Sequence, residues 1–276
     1  MKIQQLLLAG IHRLEAVKIE SAARDARLLL SNALGCDASR LIFEQDDIVS
    51  ADVLAKFERS LKTREKFQPV SQIIGGREFW GRWFEVSTDV LDPRPETETL
   101  VEIALNTPRA GSILDLGTGT GILAISLAAE WPASQVTATD ISTKALMVAR
   151  RNSGSHDVSA RINFLESDWF ENVTGKFDLI VSNPPYISAD EMKQLAPDVK
   201  NWEPALALTP GGDGLSAYRK IAEKLQLFLN SNGIALFEIG YAQGTDVCDI
   251  FLKNGFRNVH VETDMSGHDR IVVIHC

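Results

Sequence analysis

The sequence predicts an α/β protein, with a seven-stranded, mostly parallel sheet behind a small helical domain. Three observations carry this. The first stretch, to about Gln68, repeats apolar residues at spacings of three and four, the mark of amphipathic helices. From about Thr97, short apolar runs alternate with helical stretches, which means β-α units with helices on both faces of a parallel sheet. A glycine-rich turn, Asp115 to Gly121, joins the first of these strands to its helix.

Taken in order, "IQQLLLAGIHRL", "ESAARDARLLLSNALG" and "ADVLAKFERSLKTREKF" read as helices, with Gly35 a stop for the second and Ser50 an N-cap for the third. Residues 69–96 then change to short β-like runs, "REFW" and "RWFEV", split by Gly81 as in a hairpin. This linker holds two of the five tryptophans, so it is expected to pack rather than dangle. The domain at 97–276 follows with strands "SILDLG", "QVTATD", "INFLES", "FDLIVSN" and "GIALFEIG". Helices are expected over 121–129, 142–152, 214–230 and 243–254. "RNVHVETD" and "RIVVIHC" close the chain, and only "MSGH" joins them, so they should run antiparallel at one edge.

Composition bounds the function. The net charge is −9, and residues 1–68 carry 11 Lys and Arg against 10 Asp and Glu, so the acidity lies in the rest. That balance weighs against a nucleic-acid partner, since phosphate contacts call for a basic face. No run reaches the length of a membrane span. Three scattered cysteines and no C-x-x-C give neither a disulfide framework nor a metal-ligand cluster. Together with an N-terminal apolar run too short for a signal peptide, they read as a reduced, cytoplasmic protein without metal.

In "ILDLGTGTGILAIS", Gly117, Thr118, Gly119, Thr120 and Gly121 form a loop between strand and helix. Glycines let the chain turn tightly and let a ligand approach the backbone. The first β-α crevice of such a sheet is where nucleotide-like cofactors lie. Gly119-x-Gly121-x-x-Ala124 formally fits the dinucleotide fingerprint. D-x-G-x-G-x-G is closer to the first motif of S-adenosylmethionine-dependent methyltransferases, whose cofactor has no pyrophosphate. Asp140, closing the next strand, can accept from both ribose hydroxyls, or cap the helix that follows. One strand later Asp168 can accept from an adenine amino group, and Trp169 can cover the ring or sit in the core.

The tetrapeptide Asn183-Pro184-Pro185-Tyr186 ends the strand "FDLIVS" abruptly, because proline gives a ladder no N–H. It falls at the carboxyl end of the sheet, in the same crevice as the glycine loop. A planar amide nitrogen is a poor nucleophile. Asn183 Oδ1 and the Pro184 carbonyl can accept its two N–H bonds and orient it, and Tyr186 can stack on the flat group. The prolines hold the acceptors rigid before reaction.

"NPPY" with "DLGTGTG" resembles the amino-methyltransferases that act on glutamine or adenine. "REFWGRWFEV", "DPRPETETLVE", "FDLIVSNPPYI", "EPALAL", "DGLSAYRKI" and "FEIG", in that order, narrow the resemblance to the release-factor glutamine methyltransferases, the HemK/PrmC family, over nearly the whole chain. The resemblance implies a Rossmann-like class I methyltransferase sheet behind a helical substrate-recognition domain. It implies transfer of methyl from S-adenosylmethionine, with S-adenosylhomocysteine as product, to N5 of the glutamine in the Gly-Gly-Gln motif of class 1 peptide release factors. It assigns the cofactor to Gly117 through Gly121, Asp140, Asp168, Trp169 and Asn183, and the substrate to Asn183 through Tyr186, in a monomer that meets neither nucleic acid nor membrane. One residue departs: Asp92 stands before "PRPETE" where the family is usually apolar.

Rival readings are a glutamine methyltransferase of a ribosomal protein, an adenine-N6 DNA methyltransferase, a non-catalytic relative and an NAD enzyme. A DNA enzyme must flip a base and hold phosphates, against the acidity of this sheet. A non-catalytic relative predicts decay at Asn183 or the glycines, and both are intact. An NAD enzyme needs an acid or base near the hydride, and none of the five histidines is obviously placed.

Overall fold

Caps and stops shape the first of two units in the computed structural model, which describes residues 1–43 and 45–276. This unit comprises residues 1–76 with 196–202. It holds α1 (Ile3–Ala16), α2 (Ala22–Leu34), α3 (Ala51–Arg64) and α4 (Val70–Ile74). The Ser50 hydroxyl caps α3 by accepting from Val53 N at 3.3 Å. Gly35 ends α2 in the left-handed region, and the Cys36 N–H reaches back to Ser31 O at 3.1 Å. Leu6, Leu14, Leu29, Leu30, Phe57 and Leu61 fill the core. A Cβ on Gly10 would stand 2.7 Å from the Phe57 ring, so glycine lets α1 and α3 approach closely.

A short helix, Pro197–Trp202, belongs to this unit although the chain around it belongs to the other. Trp202 Nε1 donates to Lys66 O and Gln72 Nε2 to Trp202 O, both at 3.1 Å. Buried Arg64 donates to Asp25 at 2.7 Å and lies 3.6 Å from Asp198.

The second unit spans 77–195 and 203–276. Its hairpin pairs β1 (Gly76–Phe79) with β2 (Arg82–Glu85). Trp80 and Gly81 both have positive φ, the conformation of a two-residue turn that matches strand twist. A turn at Pro95–Thr97 leads into α5 (Glu98–Leu105).

Seven strands then build the sheet: β3 (Ser112–Leu116), β4 (Gln135–Asp140), β5 (Ile162–Glu166), β6 (Phe177–Ser182), β7 (Leu229–Glu238), β8 (Asn258–Thr263) and β9 (Asp269–His275). Their order is β5-β4-β3-β6-β7-β9-β8. The first five run parallel, while β9 is antiparallel to both β7 and β8, as the short connection required. Helices α6 (Ile122–Glu130), α7 (Thr143–Ser155), α8 (Ser216–Phe228) and α9 (Gly244–Lys253) are the connections.

Side chains alternate across a strand, so a sheet covered on both faces has near-continuous apolar runs. Ile113, Leu179 and Val181 pack in one layer, and Leu114, Leu116 and Ile180 in the other. β3 lies between β4 and β6, so the chain reverses its direction of travel across the sheet there. Ligands of open α/β sheets bind at such a reversal, outside the carboxyl ends of the strands. No helix among the described residues is long and apolar enough to cross a membrane.

Candidate active site

The loop after β3 is held from below. Asp115 is fully buried, and its Oδ2 accepts from the Thr118 hydroxyl at 2.6 Å and from Ala124 N at 3.2 Å. Oδ1 has no partner among the described residues, and burial pushes this carboxyl up to about 7. Thr118 N donates to Thr139 O at 2.7 Å, tying the loop to β4. Gly121 requires its lack of a side chain twice over. Its φ is +85°, and a Cβ would stand 2.8 Å from Ile125 and 3.2 Å from Ala149.

Asp140 joins both sides of this cradle. Its Oδ2 accepts from Gly119 N at 2.9 Å and its Oδ1 from Ser142 N at 2.8 Å. The Ser142 hydroxyl caps α7, so Asp140 supports the cap rather than serving as it. Burial raises the Asp140 carboxyl, against the pull of these backbone donors. After β5, Trp169 holds φ at +52°, a strained conformation for a bulky residue. The Ser167 hydroxyl fixes the turn by donating to Trp169 O at 2.9 Å and accepting from Asn172 N at 3.0 Å. Trp169 packs on the core and also lines the cavity. Asp168 lies 3.7 Å from Lys220 at the same wall.

The turn after β6 is clamped on several sides. Gln243 Nε2 donates to Tyr186 O at 2.9 Å, and Ile187 N donates to Leu208 O at 3.0 Å. Gly214, at φ +82°, lies so close that a Cβ would collide with the Tyr186 carbonyl. Burial pushes the Tyr186 phenol upward. Asn183 Nδ2 donates to the Thr97 hydroxyl at 3.2 Å. Thr97 is fully buried, as is Glu238 at the end of β7. Burial lifts Glu238 to about 7, with Thr97 and Arg270 pulling the other way.

A cavity of about 360 Å³ gathers Gly117, Thr118, Gly119, Thr120, Asp140, Asp168, Trp169, Asn183 and Pro185. Gly121, Pro184 and Tyr186, expected at the site, are not among its lining residues. Gly121 serves the packing of α6, and buried Pro184 and half-buried Tyr186 form the body of the turn.

Sequence reasoning gave no role to Arg94, Thr97, Glu203 or Lys220 at the wall and behind it. Arg94 Nη2 donates to both oxygens of buried Glu203, at 2.7 and 2.8 Å. Burial lifts Glu203 to about 7 against the attraction of Arg94. Asp92 is buried beside this pair, and its Oδ2 accepts from Arg77 Nη1 at 3.2 Å. The unusual acid before "PRPETE" is therefore one member of a buried charge cluster. A lone carboxylate inside an apolar run, as in "GIALFEIG", was the signal available for Glu238.

Residues 86–213 match the family model described as a methyltransferase small domain, and residues 5–75 match the PrmC N-terminal domain. A release factor glutamine methyltransferase of Cereibacter sphaeroides is 50% identical over 272 residues, 99% of this chain and 98% of that one. A bifunctional methyltransferase of Rickettsia felis is 40% identical over 302 residues, 98% of this chain but only 57% of its own. Among solved structures, a methyltransferase from Pyrococcus furiosus superposes with a TM-score of 0.54 at 20% identity, covering 71% of this chain and 90% of that one. At that identity the likeness concerns the fold alone.

Proposed function

The chain belongs to the release factor glutamine methyltransferase family, and from that membership we propose that it transfers a methyl group from S-adenosylmethionine to N5 of the glutamine in the Gly-Gly-Gln motif of class 1 release factors. The observation that carries the proposal is the single cavity that brings together the glycine loop, Asp140 and Asn183.

The residues present suit the cofactor. Gly119, which lines the cavity, has open space where a Cβ would stand. Asp140 offers a carboxylate held in place by two backbone donors, suited to ribose hydroxyls. Asp168 and the Trp169 ring offer an acceptor and a flat apolar face for adenine. When bound, S-adenosylmethionine supplies an electrophilic methyl group.

The protein's part is to present the amide nitrogen. Asn183 Oδ1 and the Pro184 carbonyl accept its two N–H bonds. The clamps on the turn from Gln243 and Leu208 fix these acceptors before the substrate arrives. Preorganised acceptors need no rearrangement as charge develops, which is where such contacts count most. Neither acceptor is a strong base, so their work is to orient the nitrogen, whose proton becomes acidic only as the methyl arrives and then leaves to water.

The helical unit is assigned a grip on a second surface of the release factor. It exposes Ile42, Phe43 and Ile48 at 60%, 86% and 80% of their surfaces. Remote contacts provide binding energy that can be used to orient the reacting group. Incubation with labelled S-adenosylmethionine and, in separate tubes, a purified release factor, ribosomal proteins or DNA tests the proposal. Label on the release factor alone is expected, and label on ribosomal protein or DNA instead would overturn it.

A further inference from the structure

One wall of the cavity is a short segment clamped at both ends. It begins at Glu203, whose buried carboxylate accepts from Arg94 Nη2 at 2.7 and 2.8 Å. A buried ion pair is costly to separate, so this end does not swing away. The segment passes Pro204, whose ring fixes its own φ, and makes one turn of helix, Ala205–Leu208. It is held again where Leu208 O accepts from Ile187 N at 3.0 Å, directly after the turn that carries Asn183. Both clamps lie beside the proposed reaction centre. Arg94 O accepts from Thr97 N at 3.1 Å, and the Thr97 hydroxyl accepts from Asn183 Nδ2 at 3.2 Å.

Between the clamps stands Leu206. It lines the cavity and yet is 59% exposed, which puts it at the mouth. Pro204 and Ala207 line the same wall, and the ion pair brings up Pro93, the neighbour of Arg94, which lines the cavity as well. Single exposed leucines are common on protein surfaces. One set between two clamps at the mouth of a cavity is placed to touch whatever enters.

Asn183 lines the cavity too, and the substrate nitrogen must reach it. A glutamine side chain spans only about 5 Å from Cα to that nitrogen, four bonds of ordinary length. The main chain of the glutamine, and of the residue before it, must therefore come down to the mouth. A stiff apolar wall does not move aside for a side chain on that preceding residue. Glycine is the residue without one. We infer that Leu206 is a specificity-determining residue that restricts the mouth to a glutamine preceded by glycine. The inference rests on the proposed glutamine transfer and assigns its sequence preference to one side chain.

The test measures kcat/KM for two release factors, one natural and one with the glycine before the glutamine changed to alanine. The unmutated protein should prefer the natural factor by about 10–200-fold, the discrimination a pocket draws from one methyl-sized group. Leu206→Ala should reduce that preference at least about tenfold by speeding transfer to the alanine factor, while Leu206→Met, which conserves volume, should retain it. The dissociation constant of S-adenosylmethionine should stay within about threefold in both variants. A folded L206A that rejects the alanine factor as strongly as the parent does would assign the glycine to backbone freedom in the substrate and overturn the inference. A parent that accepts both factors equally would overturn it too. So would L206A losing cofactor affinity about tenfold with the preference intact, since Leu206 would then belong to the cofactor's wall. No transfer by the parent to either factor would remove the proposed function, and the inference with it.

Discussion

Replacing Asn183 by Ala removes one of two acceptors from the proposed amide site while disturbing little else. Among the described residues the Asn183 side chain makes one hydrogen bond, to Thr97. Its loss should cost the fold about 0.5–1.5 kcal/mol, the net worth of a neutral hydrogen bond. Cofactor binding should weaken slightly, because Asp140 and the glycine loop are untouched. The chemical step should slow by roughly 10²–10³, the loss seen when one preorganised polar contact is removed where charge develops. Asn183→Asp keeps the acceptor geometry but adds a charge and loses the N–H that reaches Thr97, so it should retain more activity than Ala and less than Asn. Single-turnover methylation with release factor in excess isolates this step, and calorimetry reports cofactor affinity separately. Transfer by N183A within about threefold of the parent, under 1 kcal/mol in barrier, would refute the reasoning and leave the turn a strand terminator.

Other perturbations probe the remaining parts. Asp140→Ala should weaken S-adenosylmethionine binding by about 1.5–3 kcal/mol, as for hydrogen bonds to a charged group, and an unchanged calorimetric constant would reduce Asp140 to a loop brace. Phe43→Ser should raise KM for whole release factor and leave kcat/KM on a short Gly-Gly-Gln peptide unchanged; equal effects on both would deny the helical unit its proposed grip. Burial lifts Asp115 to about 7, so the folded state keeps a proton that the unfolded chain has lost. Its contribution to stability is full below about pH 4, the unfolded carboxylate range, and is lost as pH rises through about 7. Asp115→Asn should therefore flatten the fall in stability over that window, with Glu203 and Glu238 leaving some slope behind. Urea titrations at several pH values measure it, and an unaltered slope would contradict the assignment.

Much of the fold was legible because burial on both faces writes itself locally. A strand such as "FDLIVS" is mostly apolar where it lies between two helical layers, and most left-handed positions fall on glycines. The glycine loop and the "NPPY" turn were legible because each needs unusual backbone chemistry within a few residues. Contacts between distant segments were not. Thr97 and Asn183 are 86 residues apart, and Arg94 and Glu203 are 109 apart. No periodicity links them. The excursion of residues 196–202 into the helical unit had the same character, since Trp202 finds its partners at Lys66 and Gln72. Asp92 looked anomalous as a single residue and makes sense only beside Arg77.

The central claim is that this cavity methylates a glutamine side chain on a release factor. The most direct test is mass mapping of a release factor after incubation with the protein and S-adenosylmethionine. The account predicts one added methyl group, on the glutamine of Gly-Gly-Gln, absent when Asn183→Ala replaces the parent and absent when that glutamine is changed to Ala. A methyl group on any other residue, or one that persists after the glutamine is removed, would contradict it.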